Sequence, residues 1–154
     1  MTGRIDARLR DLGINLPAPP APVASYVPTV TSGNLVYVSG QITSAPEGLK
    51  YVGVVGRDIK TEDAKAAARL CAVNVLAQVK AAVGDLDRVT RCVKLSVFIN
   101  ATPGFTQHPE VANGASDLMV EVFGEAGKHA RAAVGAGSLP RGVAVEVEAI
   151  FEIA

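Results

Sequence analysis

HARAAVGAGSLPRGVAVEVEAIFEIA, residues 129–154, is the stretch that decides the fold. Two extended segments flank a turn over residues 137–142, where Gly137, Ser138, Pro140 and Gly142 interrupt any regular element. Past the turn, apolar and polar residues alternate with a period of two, the spacing of a strand with one buried face. Val145, Val147, Ala149, Phe151 and Ile153 fall on one side, and Glu146, Glu148, Ile150 and Glu152 on the other. Before the turn the same rule groups Arg131, Ala133 and Gly135. A guanidinium whose neighbours on its own face are so small has open space beside it, which a small anionic ligand requires.

Upstream, residues 61–83 predict a long helix with Thr61 as N-cap, Glu62 and Asp63 in the first turn and Gly84 as the stop. Ala64, Ala68, Cys71, Val75, Val79 and Ala82 form a stripe at helical spacing, small enough to lie close to a sheet. Residues 89–99 alternate again, with Val89, Arg91, Val93, Leu95, Val97 and Ile99 on one side and Thr90, Cys92, Lys94, Ser96 and Phe98 on the other. A second helix opens at Pro109, carries Val111, Ala115, Leu118, Met119, Val122 and Phe123, and ends at Gly124. Asn113-Gly114 weakens its first half.

Nearer the N-terminus, Leu35–Ile42 predicts a strand that pairs across a turn at 31–34 with a first arm, Tyr26–Val30. Pro28 confines that arm to an edge or a strand start. Residues 44–50 predict a loop and Tyr51–Val55 a short third strand. Ile5, Leu9 and Leu12 mark a short amphipathic helix over 4–12 that needs a surface to dock on. Pro17, Pro19, Pro20 and Pro22 then make an extended arm. One domain is expected over 1–154, with 1–25 as N-terminal helix and arm and 26–154 as core. The order of elements predicts an α+β sandwich, one sheet with two long helices on one face. The other face also carries apolar residues and needs cover, which a homo-oligomer with inward-packed sheets would supply.

Hydrophobic residues make up 49% of the chain and charged ones 19%, ample for a core. Fifteen basic residues balance fifteen acidic ones, so the basic stripe of a nucleic-acid binder is not expected. No apolar tract reads as long enough to span a bilayer, and the charged N-terminus lacks the apolar region of a signal peptide. The expected location is the cytoplasm, where Cys71 and Cys92 would be buried free thiols. His108 and His129 have no metal-ligand spacing to each other or to a cysteine pair, so no metal is expected. A G-x-S-x-G elbow is absent, and the glycines at 53, 56, 135 and 137 do not open helices as a phosphate loop would.

Arg131 is the leading candidate for chemistry, because a guanidinium is a planar fork that matches a carboxylate. The pattern equally allows a structural ion pair with Glu148 or a neighbouring acid. It does not choose Glu148 over Glu146 and Glu152. Tyr26, Ser39 and Gln41 are polar groups in or beside apolar strands, where capping a core or close packing at Gly40 is the ordinary role.

Residues Tyr26–Gln41, ending in Gly33-Asn34-Leu35-Val36-Tyr37-Val38-Ser39-Gly40-Gln41, resemble the opening hairpin of the RidA/YjgF family. Ala130-Arg131, Leu139-Pro140 and Val145-Glu146-Val147-Glu148-Ala149-Ile150 resemble its closing signature. The likeness runs from Tyr26 to the C-terminus, and the first 25 residues resemble the N-terminal extension of one subgroup. The resemblance implies a chorismate-mutase-like fold, a homotrimer with clefts between subunits, and no cofactor. It further implies hydrolysis of 2-imino or enamine acids to 2-keto acids and ammonia. In that reading Arg131 holds the substrate carboxylate and Glu148 handles a water. Tyr26, Ser39 and Gly40 line the cleft, and the backbone near Ala133 takes the second carboxylate oxygen. A trimer that binds a keto or amino acid without turnover is the alternative. The chain departs from the family's deaminases at Ala133, where they carry Cys, and at His129, where they carry Pro.

Overall fold

The alternation over 145–153 becomes the middle strand of a sheet. The computed structural model describes residues 3–19 and 24–154, so Pro20 and Pro22 of the expected arm lie outside the described residues. Strands β1 (Thr29–Ser32), β2 (Leu35–Gln41), β5 (Val89–Asn100), β6 (Ala130–Ala136) and β7 (Val145–Ile153) form a five-stranded sheet in the order β1-β2-β7-β5-β6. All pairs are antiparallel except β5 with β6, so the sheet is mixed. Although β6 and β7 flank one turn, they do not pair, because β5 lies between them.

Helices α2 (Thr61–Val83) and α3 (His108–Phe123) cover one face. Val36, Val38, Leu95, Val97, Val145, Val147 and Phe151 are buried beneath them, with Phe151 tilted against Phe123 at 6.1 Å. Tyr37, Lys94, Ser96, Phe98, Glu148 and Ile150 point to the opposite face, which no helix among the described residues covers. The small ribbon of β3 (Ser44–Ala45) and β4 (Gly48–Leu49) stands where a loop was expected.

Local geometry corrects several expectations. The first hairpin arm begins at Thr29, not Tyr26, because the backbone bends at 24–26 before Pro28, whose carbonyl accepts from Ser39 N. The hairpin turn shrinks to Gly33-Asn34, with Gly33 at φ 62°. Tyr51–Val55 is not a strand: Tyr51 takes φ 52°, and only isolated bridges join Val52 to Val143 and Val55 to Ala101. Lys60 is the N-cap of α2, while Thr61 lies inside the helix and its hydroxyl donates to Gln107 Oε1 at 2.6 Å. Ala82 is exposed, and burial along α2 is wider than the stripe because α3 packs on a second flank. In β5 an irregularity between Cys92 and Lys94 resets the alternation, so Cys92 joins the core side and Arg91 faces solvent.

Helix α2 also corrects the reading of membrane tracts. Its 23 residues are long and apolar enough to cross a bilayer. Its apolar character instead serves the core, since Ala64, Ala68, Cys71, Val75, Leu76 and Val79 are fully buried.

Gly114 marks the closest approach of the two helices, and a Cβ there would sit 1.9 Å from the Lys65 carbonyl oxygen. What weakens α3 as an isolated helix is what lets it pack. Gly114→Ala would regain about 1 kcal/mol of helix propensity but force two backbones apart. A net loss of about 2 kcal/mol is expected, read as a lower denaturation midpoint at fixed protein concentration.

Helix α1 (Arg4–Asp11) docks through Ile5 and Leu9, both buried. Gly3 offers no side-chain cap, and the cap comes from Asp87 instead, whose carboxylate accepts from Arg4 N and Ile5 N, each at 2.8 Å. Lys80 Nζ adds a 2.8 Å ion pair to Asp6. The N–H groups of Ile5 and Arg4 hold the Asp87 carboxyl below its usual range. A carboxyl depressed on folding stabilises above its unfolded pKa, and that contribution is lost as pH falls through the folded value. Amide exchange over 5–9 is therefore expected to quicken on acidification below the ordinary aspartate range, and at neutral pH in Asp87→Ala, with the sheet amides unaffected.

Candidate functional site

Glu148 stands opposite Ser96 in the β5–β7 register, on the sheet face that the helices leave open. On its other flank the β2–β7 register slips between Val38 and Gln41, so Ser39 and Gly40 together oppose the single Glu148. This bulge turns Ser39 toward a groove of about 290 Å3 that Tyr37, Lys94, Ser96, Glu148 and Ile150 also line. The Ser39 hydroxyl donates to the Val27 carbonyl at 2.8 Å and so fixes the lead into β1. Gln41 likewise donates to Ser39 O at 3.1 Å, a structural contact. A Cβ at Gly40 would lie 2.2 Å from Glu146 Oε2, so the close packing expected at this glycine is against an acid. Burial raises the Glu146 pKa above its usual value, and the charge of Glu148 adds to that.

Tyr26 does not join this groove. It is 68% exposed and lines a separate cavity of about 650 Å3, with Gly40, Gln41, Asn74 and Gln78, between the arm, β2 and α2. Gly40 thus borders the bulge on one side and this cavity on the other.

Arg131 is on the opposite face of the sheet from Glu148. Its strand partner is Leu95, a fully buried core residue, and its side chain turns toward α3. Nη1 donates to Asn113 Oδ1 at 2.8 Å and to Ser116 Oγ at 3.1 Å. The structural ion pair with Glu148 that the pattern allowed is thereby excluded within one chain. Ala133 pairs with Val97 and packs half-buried against the core. At Gly135 a Cβ would meet His108 Nε2 at 3.2 Å, so the small residue there makes room for α3.

Asn113 and Ser116 were not picked out from the sequence. Their spacing of three puts them on one side of α3, but only the packing of α3 beside β6 brings that side to Arg131. His129 enters the same cluster through Ser116, at 2.8 Å. The cysteines take no part in it. Cys71 donates to the Val145 carbonyl, and burial pushes its thiol far up, while burial pushes the Cys92 thiol up to about 12. Both stay protonated near neutrality and are poor nucleophiles.

The chain as a whole has relatives among known proteins. Residues 6–150 match the family described as YjgF/chorismate_mutase-like, putative endoribonuclease. Protein TCP17 of Trypanosoma cruzi is 51% identical over 99% of this chain and 96% of its own length. A 2-iminobutanoate/2-iminopropanoate deaminase of Dermatophagoides farinae is 31% identical over 91% of this chain and 94% of its own. The crystal structure of a protein of unknown function from Agrobacterium tumefaciens superposes with a TM-score of 0.90 at 50% identity, covering 97% of this chain and 94% of that one. The match runs through α1 and the arm as well as through the two segments that first suggested it, and this chain belongs to the YjgF/RidA family.

Proposed function

We propose that the chain is a cofactor-independent deaminase. It converts 2-imino and enamine acids to 2-keto acids and ammonia, in a cleft completed by a second copy of itself. The observation that carries this reading is the division of its two charged groups: Glu148 lines the open sheet face, while Arg131 sits on the helix side of edge strand β6. The two serve one ligand only if one subunit's edge meets another's open face. That face has apolar surface to bury, with Val30, Tyr37 and Val134 exposed on it. A closed ring, as in the expected homotrimer, would cover it on every subunit. The similarity to a protein named as an iminobutanoate deaminase supports the reaction class.

The chemistry asks little of the protein. An imine carbon is already electrophilic, so orientation and modest base assistance suffice. Arg131 fixes the carboxylate as a fork. Glu148 takes a proton from water as its oxygen bonds to the imine carbon, and the nitrogen is protonated to give a carbinolamine. Glu148, having given its proton to that nitrogen, takes the carbinolamine hydroxyl proton and passes it to the nitrogen as the C=O bond forms and the C–N bond breaks, releasing ammonia and leaving the keto acid. Ser39 and Gly40 beside Glu148, and the backbone at Ala133 beside Arg131, would border the bound acid. A cytoplasmic setting suits a small metabolic acid of this kind.

The test is coupled detection of ammonia and keto acid from 2-iminobutanoate generated in situ, against the uncatalysed rate. Turnover well above that rate is expected. Binding of the keto acid at the uncatalysed rate would favour the alternative, a regulatory trimer that senses the acid.

A further inference from the structure

We propose that Ser116 and His129 are positioning residues, which lock the Arg131 guanidinium with its Nε–Nη2 edge free for a carboxylate. The inference rests on the role of Arg131 proposed above and names how that role is built.

With the His129 ring neutral, the hydrogen-bond directions form a consistent chain. His129 Nδ1 lies 2.6 Å from the Gly127 carbonyl, which can only accept, so Nδ1 carries a proton. In the neutral ring Nε2 is then an acceptor, and it takes the Ser116 hydroxyl proton across 2.8 Å. With that proton committed, Ser116 Oγ presents a lone pair to Arg131 Nη1 at 3.1 Å, beside Asn113 Oδ1 at 2.8 Å. Both protons of Nη1 are thereby used. Among the described residues Nε and Nη2 have no partner, and these two share the side-on edge of the guanidinium, the edge that grips a carboxylate with two parallel bonds.

The chain is anchored at a rigid point. Gly127 closes the 3₁₀ turn after α3 (Gly124–Gly127), and a Cβ there would be 2.1 Å from the Met119 carbonyl oxygen. The carbonyl that fixes His129 is therefore pressed against the helix that carries Asn113 and Ser116. An exposed arginine samples many rotamers, and holding one of them before the ligand arrives removes an ordering cost from binding.

Such support acts on binding of the carboxylate in the ground and transition states alike, and so on KM. Ser116→Ala is expected to raise KM for the imino acid about tenfold while kcat changes less than about twofold. Ser116→Thr, which keeps the hydroxyl, should keep KM near the wild-type value, and His129→Gln, which keeps an acceptor near Nε2, should lose less than His129→Ala. In an Arg131→Ala background Ser116→Ala should add nothing.

A readout independent of turnover is the nitrogen-15 spectrum of the Arg131 guanidinium, assigned by its absence in Arg131→Lys. Separate, slowly exchanging Nη signals are expected in the wild type and merged ones in Ser116→Ala. Unchanged signals in Ser116→Ala would overturn the inference. So would an equal cost of Ser116→Ala with and without Arg131. If the signals merge but the wild type turns over no imino acid, the positioning chain stands and the deaminase reading falls. If turnover is present and the signals do not respond, the reverse holds.

Discussion

Glu148→Gln is expected to lower kcat for imino-acid hydrolysis by about 10²-fold or more, with KM nearly unchanged. Glutamine keeps the size and hydrogen-bonding reach of the side chain but cannot take a proton from water, and general-base assistance is worth about 10²–10⁴-fold in rate. The site makes the comparison clean. Glu148 is exposed on the open face, and its bulge neighbours Ser39 and Gly40 are held by their own contacts with Val27 and Pro28 and by close packing against Glu146. The substitution should therefore leave the fold and keto-acid binding intact. Rapid-quench or coupled ammonia kinetics measures the loss. A variant with wild-type kcat would leave Glu148 as a solvated surface acid and remove the base from the mechanism.

Arg131→Ala is expected to lower kcat/KM by about 10²–10³-fold, chiefly through KM. Hydrogen bonds to a charged group contribute about 1.5–3 kcal/mol each, and a fork makes two of them. The same variant should abolish keto-acid binding detectable by calorimetry. Stability should change little, because the guanidinium is exposed and its partners Asn113 and Ser116 are near solvent. Arg131→Lys should not rescue, since an ammonium cannot reproduce the planar fork. Tight keto-acid binding by Arg131→Ala would mean that another group holds the carboxylate.

The elements were largely legible because their periodicities are strong. The alternation of 145–153 and the stripe of 61–83 gave the middle strand and the main helix. What eluded pattern reading follows from places where backbone geometry departs from period two. The bulges at Ser39-Gly40 and near Val93 each insert one residue, which reverses every later side chain and is silent in composition. Tyr51 at φ 52° breaks the extended backbone that the strand expected over 51–55 would need. The relation of Arg131 to Glu148 was out of reach for a different reason. Parity assigns faces within a strand, but relating two strands needs their register and order, and β6 pairs in parallel with β5 rather than with its chain neighbour β7. Family resemblance named both residues without saying that one chain keeps them apart. Asn113 and Ser116 were hidden likewise, since their meaning depends on which strand α3 lies beside.

That separation permits a direct test. Arg131→Ala and Glu148→Gln chains, each lowered about 10²-fold or more in kcat/KM when alone, would be co-expressed with different affinity tags and mixed oligomers isolated through both. If each cleft takes its arginine from one subunit and its glutamate from the next, every mixed trimer regains about one cleft in three, and imino-acid turnover should return to that level. Mixed oligomers that are folded, bear both tags and stay at the level of the single variants would contradict a cleft shared between subunits.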